Sequence, residues 1–238
     1  MLQALVLCSS GLAFAESDDS VPTLRFSTAS LPPVTTPAGD GYLDQLLDAL
    51  FSRLGMCVEI QKLPPARGLA QANAGLLDGE AARINLDGSL YPALHRMREP
   101  LFDVVFAGLY TRPDVSVDAL EDFFEYRLGF VRGWKIAESL FSEHSMLIRT
   151  HNATQLFDML DAGRIDIAFM TVAPGRFIAR GKGIEHLQVT GFTLRKDLHL
   201  YMHEKNIALL PALSAALKSM KADGSYGDIM DDYERENR

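Results

Sequence analysis

The chain has 238 residues, 47% of them hydrophobic, and a formal net charge of −8 at pH 7. Its length allows a sizeable core, either in one large domain or in two lobes of ordinary size. The acidic balance disfavours nucleic acid and anionic membrane surfaces as its main partners.

The first fifteen residues have the pattern of a cleavable secretory signal. The segment 1–15 carries no charged residue, is rich in leucine and alanine, and ends in Ala13-Phe14-Ala15. Signal peptidase requires such a small-x-small ending. A membrane span takes about 20 apolar residues, so this stretch is too short to be an anchor. We expect the mature protein to begin near Glu16.

The two cysteines refine this expectation. Cys8 follows Leu7, whereas a lipid-anchored protein would carry a small residue before its cysteine, so we expect a freely diffusing protein in the periplasm of a Gram-negative cell. Cys8 leaves with the signal, so Cys57 stands alone and no internal disulfide forms. Since Cys57 lies beside Met56 and Val58 at the start of an apolar strand, we expect a buried small hydrophobe; a reactive thiol is the alternative.

From residue 23 onward, predicted strands and helices alternate. In chain order the predicted strands are 23–28, 56–63, 79–84, 102–110, 126–131 and 165–170. The predicted helices are Leu43 to Leu54, Pro64 to Gly75, a segment capped by Asn152 that closes at Gly163, a segment capped by Asn206 that closes at Gly224, and a short last helix over 226–233. This alternation predicts the α/β class, with a largely parallel sheet covered on both faces.

No motif for cofactor chemistry occurs in the chain. It contains no Gly-rich phosphate loop, metal-ligand cluster or nucleophile elbow, so we expect no cofactor, no bound metal and no catalytic residue. His199 and His203 are four residues apart but lack a third ligand, and two ligands make a poor zinc site. The remaining histidines are expected at the surface: His95, His144, His151 and His186.

Four stretches together resemble the type 2 periplasmic solute-binding proteins, specifically the family that serves polar amino acid uptake, bacterial extracellular solute-binding family 3. The stretches are 75–83, which follows a Pro-x-x-Arg-type helix, and 98–102, 160–168 and 221–229. Their order and spacing match the family across nearly the whole mature chain. The resemblance implies a two-lobed α/β fold whose lobes are joined by two crossing strands, with the ligand held in a cleft that closes by hinge motion.

The resemblance also implies where the lobes divide. Lobe 1 is expected over 21–109 and 192–238, and lobe 2 over 110–191. The crossing strands are expected near 108–110 and 189–191, where glycines suit a hinge.

In lobe 1, Glu80 and Arg83 occupy the strand that delivers residues to the cleft in this family. An arginine fork there would bind a carboxylate through two parallel hydrogen bonds. An exposed ion pair between neighbours is the alternative. Arg67, in the first turn of its helix, is a further candidate that could equally be a solvated arginine, and Tyr91 is placed on a loop beside Arg83.

In lobe 2, the stretch 129–135 resembles the strand, glycine turn and helix start where backbone N–H groups meet an anionic ligand group in this family. Arg132 and Trp134 are therefore candidate ligand-binding residues. The flat face of Trp134 could cover a ligand, or the ring could be half-buried in the core.

Two positions depart from the family pattern. Many amino acid binders carry an acidic residue after the lobe 2 strand, where it pairs with the ligand's α-ammonium. This chain has Met170 and Thr171 there, which we include among the candidate ligand-binding residues. Leu31 stands where an aromatic residue often follows the first strand. An α-amino acid ligand is thus in doubt unless Glu80 supplies the negative charge.

These observations predict a binding protein that delivers a small polar or anionic metabolite, amino acid-like or a carboxylate, to an ABC permease or a membrane receptor. We expect a monomer. Two alternatives stay open: an enzyme on the same fold, similar to the cyclohexadienyl dehydratases, with Glu80 as general acid, and an accessory protein whose cleft has lost its ligand.

Overall fold

The computed structural model describes residues 22–237, so the predicted signal over 1–15 lies outside the described residues. The strands are β1 (Thr23–Thr28), β2 (Cys57–Lys62), β3 (Gly79–Arg83), β4 (Leu94–Arg96), β5 (Phe102–Tyr110), β6 (Leu128–Val131), β7 (Leu147–Thr150), β8 (Ile167–Thr171) and β9 (Gln188–His203). The α-helices are α1 (Tyr42–Ser52), α2 (Pro65–Asn73), α3 (Lys135–Leu140), α4 (Ala153–Asp161), α5 (Val172–Lys182), α6 (Leu210–Asp223) and α7 (Ser225–Glu236).

The strands form two sheets that share one long strand. The order is β2-β1-β3-β9-β5-β8-β6-β7, and β4 pairs with β9. The first sheet contains the parallel strands β2, β1 and β3, and the second contains β7, β6 and β8. The prediction of a largely parallel sheet therefore holds only in part, because β9 and β5 run antiparallel to their neighbours.

Two strands connect the sheets. β9 is 16 residues long; its first part pairs with β5, and its last part pairs with β3 and β4. The β5–β9 ladder extends from the pair Phe102 and Leu198 to the pair Tyr110 and Gln188, with a register shift after Ala107. β8 joins β5 over 106–109. The division of the chain into lobes at 109 and 191 stays a prediction.

The hydrophobic pattern of α1 accounts for its place in the core. Its apolar positions recur at helical spacing and are fully buried: Leu43, Leu46, Leu47, Leu50 and Phe51. The predicted cap of α4 is confirmed, since Asn152 Oδ1 accepts a hydrogen bond from the Gln155 N–H at 2.8 Å. The predicted cap at Asn206 is wrong: α6 begins at Leu210, and Asn206 Nδ2 donates to Asp78 Oδ1 at 2.8 Å.

Two further predictions are wrong. Cys57 is exposed, because β2 is the edge strand of the first sheet and none of its residues is fully buried. His144 is buried, with Nε2 2.9 Å from the Phe123 carbonyl and its ring stacked on Phe124. Among residues 22–237, no helix combines the length and the apolar character needed to cross a bilayer.

Candidate functional site

The two sheets meet at the carboxyl ends of their parallel strands. Leu31 follows β1 and packs against a buried cluster that includes Val131 at the end of β6 and Met170 in β8. The loop after β1 therefore reaches the edge of the second sheet. In open α/β sheets, ligands bind outside the carboxyl ends of the strands. We call the space between these ends the cleft.

A buried ion pair lies at this edge of the first sheet. Glu80 in β3 is 0% exposed, and the Ser27 hydroxyl at the end of β1 donates to its Oε2. Arg83 Nε donates to Glu80 Oε1 at 2.8 Å. The alternative of an exposed ion pair is therefore wrong, and both oxygens of Glu80 are occupied by neighbours.

One nitrogen of Arg83 is left without a hydrogen bond. Nη2 lies 2.7 Å from Glu80 Oε1, but it is buried and makes no hydrogen bond within the described part of the chain. The Arg83 side chain as a whole keeps 19% exposure. Most buried polar groups are hydrogen-bonded, and an unpaired one costs about 1–3 kcal/mol.

The electrostatics of Glu80 agree with its burial. Burial raises the pKa of the Glu80 carboxyl, and the positive charge of Arg83 and the Ser27 hydroxyl offset this only in part. A raised pKa means that Glu80 favours folding most at low pH and that this contribution is lost as the pH rises through the folded pKa. A buried pair is weak evidence for stability, so we interpret Glu80 as the residue that positions Arg83.

Sequence reasoning missed two residues of this arrangement. Ser27 supplies one hydrogen bond to Glu80, and Gly68 lets α2 approach closely. A Cβ at Gly68 would lie 2.7 Å from Ser27 Oγ and 3.0 Å from Glu80 Oε2. The only local signal was a glycine one residue after Arg67 in a helix, where glycine is otherwise unfavourable.

The two other lobe 1 candidates differ in their surroundings. Arg67 lies exposed in the first turn of α2, and its guanidinium has no ion pair or hydrogen bond with any residue of 22–237. Tyr91 is half-buried and packs against the small cluster beneath α2 that contains Leu69 and Tyr201. Arg67 is thus free to meet a ligand, whereas the Tyr91 ring contributes mainly to packing.

In the second sheet, the turn after β6 carries the remaining basic candidate. Arg132 is exposed; its backbone N–H donates to the Thr150 carbonyl at 2.9 Å, and its guanidinium has no partner in the described chain. The Gly133 N–H donates to Glu138 Oε1 at 2.9 Å. One backbone donor that the family resemblance implies for an anionic ligand is therefore already occupied.

The last three candidates are largely packed. Trp134 precedes α3, is half-buried, and packs against the two largest hydrophobic clusters. Met170 is 0% exposed and lies opposite Ala107 of β5. Thr171, at the start of α5, is only partly buried.

No protein-family model matches the chain, and no curated protein matches its sequence. Solved structures do match. A histidine kinase sensor domain with similarity to periplasmic binding proteins shares 18% identity over 90% of this chain and 95% of that chain, with a TM-score of 0.72. An ancestral arginine-binding protein bound to arginine shares 20% identity over 88% of this chain and 97% of that chain, with a TM-score of 0.73. The arginine-, lysine-, histidine-binding protein ArtJ of Geobacillus stearothermophilus shares 19% identity over 90% of this chain and 94% of that chain, with a TM-score of 0.69. These likenesses confirm the predicted two-lobed periplasmic binding protein fold.

Proposed function

We propose that this chain is an exported, monomeric solute-binding protein of family 3 that captures a small carboxylate-bearing metabolite in the cleft and presents it to an ABC permease or a membrane receptor. The observation that carries the proposal is Arg83. Its guanidinium is held through Nε by a buried carboxylate, while its Nη2, 2.7 Å from Glu80 Oε1, makes no hydrogen bond among residues 22–237. A fixed guanidinium with spare donors suits a carboxylate.

The charges around the cleft favour an anionic ligand. Arg67 and Arg132 lie exposed at the ends of the cleft-facing elements and have no ion-pair partners among residues 22–237. Glu80 is neutralised by Arg83, and Thr171 stands where the resemblance places an acidic partner for an ammonium group. We therefore favour mono- and dicarboxylates over α-amino acids.

The same geometry weighs against the two alternatives. Glu80 is 0% exposed and accepts hydrogen bonds at both oxygens, so it is poorly placed to reach a substrate as a general acid. The exposed Arg67 and Arg132, which have no partner among residues 22–237, and the Arg83 Nη2, which makes no hydrogen bond there, argue for a cleft that still takes a ligand. The proposed periplasmic location depends on the secretory signal pattern over 1–15.

A thermal-melt screen against dicarboxylates, aromatic acids, amino acids and amines tests this proposal. A ligand at 100 times its Kd adds about 2.7 kcal/mol, which raises the melting temperature of a chain this size by roughly 5–11 °C. We expect a carboxylate to give such a shift and Arg83→Gln to abolish it. Arg164→Gln, which changes an exposed arginine with no side-chain partner in the described chain, is the matched control.

Three other results of this screen and its variants would each support a different conclusion. Unchanged affinity in Arg83→Gln would rule out our site. The absence of a shift with every compound would favour the accessory protein. Turnover of a stabilising compound that is lost in Glu80→Gln would favour the enzyme.

A further inference from the structure

A basic cavity lies beside the connection between the two sheets. Its volume is about 450 Å³, within the range typical of small-molecule sites. Its lining includes Asn85 after β3, Arg96 of β4, and Arg195, Lys196, Asp197 and His199 of β9. None of the lining residues is a cleft candidate or belongs to β6, β7 or β8. The cavity is therefore complete without the second sheet's parallel strands, unlike the cleft.

The charges of the cavity attract an anion. Three lining residues are cationic and one is acidic; leaving out Arg195, whose partner is Asp103, the remaining Arg96, Lys196 and Asp197 give 2 − 1 = +1 with His199 neutral, in a chain of net charge −8. Arg195 is paired with Asp103, which does not line this cavity. Lys196 has no ion pair or hydrogen bond from its amine within 22–237.

Arg96 is held in place with donors to spare. Its Nη1 donates to Asn85 Oδ1 at 2.6 Å. A guanidinium has five N–H donors in a planar fork, so most of them remain for a ligand. The contact with Asn85 joins β4 to the end of β3 and fixes the guanidinium on the cavity wall.

His199 adds an acceptor to this wall. It is 7% exposed, and its Nδ1 lies 3.0 Å from the Met97 carbonyl. Since a carbonyl only accepts, Nδ1 carries the proton, and burial lowers the His199 pKa, which disfavours a second proton on Nε2. Nε2 is then a bare acceptor with no partner in the described chain.

We propose that this cavity binds a compact anion carrying at least two carboxylate or phosphate groups, held between Arg96 and Lys196, with a ligand hydroxyl donating to His199 Nε2. None of the cleft candidates lines this site, although His199 lies opposite Arg83 in the β3–β9 ladder, and the proposal does not depend on the proposed function. Carboxylate and phosphate share the same recognition by guanidinium and ammonium groups, and the two probes below distinguish them.

Isothermal titration of the mature chain with citrate and with pyrophosphate tests the proposal. We expect at least one of them to bind, and Arg96→Gln and Lys196→Gln each to weaken that binding about tenfold, which corresponds to about 1.4 kcal/mol. The tighter probe identifies the anion class. If citrate binds, propane-1,2,3-tricarboxylate, which lacks its hydroxyl, should bind several-fold more weakly; equal affinity would contradict the His199 contact.

The controls separate this site from the cleft and from general charge effects. Arg164→Gln and Lys218→Gln change exposed cations elsewhere and should leave the affinity unchanged, as should Arg132→Gln at the cleft. Binding of neither probe, or binding that Arg96→Gln and Lys196→Gln leave intact, overturns the proposal. Equal loss in Arg132→Gln would also overturn it, because the anion would then occupy the cleft. Failure here leaves the Arg83 experiment unaffected.

Discussion

A Gly79→Ala variant is expected to lose about 3 kcal/mol of folding free energy and to melt roughly 6–12 °C below the parent protein. Gly79 begins β3, between β1 and β9. A Cβ at this position would lie 2.0 Å from the Tyr201 carbonyl oxygen and 2.7 Å from the Phe26 ring. The first contact is with backbone in the middle of the first sheet, so neither neighbour can move away cheaply. Thermal unfolding followed by circular dichroism measures the loss.

Gly181→Ala is the matched control for this change. Gly181 lies in α5, and a Cβ there would have nothing within 4 Å. Alanine in a helix is more favourable than glycine by about 0.5–1 kcal/mol, so this variant should melt slightly above the parent. A Gly79→Ala protein as stable as the parent would show that β3 and β9 do not approach as closely as described.

Asp166 holds the largest ion-pair network of the second sheet. Its side chain is 8% exposed and accepts hydrogen bonds from Arg127 Nε at 3.0 Å and Arg127 Nη2 at 2.7 Å. The Arg127 backbone N–H donates to it at 2.9 Å, and Arg112 Nη1 is a further donor. Hydrogen bonds from Arg127, more than any other contact, lower the Asp166 pKa to about 2.

We expect Asp166→Asn to cost about 2 kcal/mol at pH 7, a fall of roughly 4–8 °C in melting temperature. Both arginines are nearly half exposed, so water screens part of the loss. Because the folded pKa is lowered, the Asp166 contribution is present above about pH 4 and is lost as the pH falls toward 2. The variant should therefore differ from the parent at pH 7 and converge with it near pH 2.

Asp114→Asn provides the comparison, since Asp114 pairs with the same Arg112 but is 60% exposed. An exposed pair contributes little, so this variant should lose less than about 1 kcal/mol. Parallel pH profiles for Asp166→Asn and the parent protein, down to pH 2, would contradict the assignment.

The sequence alone predicted the elements that are determined by residues close together in the chain. The buried stripe of α1 and the Asn152 cap were both confirmed. The pattern failed where neighbours in space decide the outcome. Cys57 has an apolar context, but only the strand order reveals that β2 is an edge. The helix α5 was not predicted, because Pro174 and Gly175 interrupt its helical pattern.

In the candidate site, too, the features that depend on neighbours in space were not predicted from the sequence. Glu80 and Arg83 are three residues apart, so regular strand alternation would place their side chains on opposite faces. The register shift between them in the β3–β9 ladder lets them pair, and Ser27 and Gly68 join them through β1 and α2. The basic cavity was not predicted at all. Arg96 and Lys196 are 100 positions apart in the sequence and line the same cavity only because β4 pairs with β9.

The most direct test of the account is mass spectrometry of the small molecules that co-purify with the protein. We predict that denaturing the native parent protein releases a carboxylate-bearing metabolite in near-stoichiometric amount. The Arg83→Gln variant, purified in parallel, should release little or none of it. Equal release from both proteins, or a bound molecule that carries no carboxylate, would contradict a cleft built around the Arg83 guanidinium.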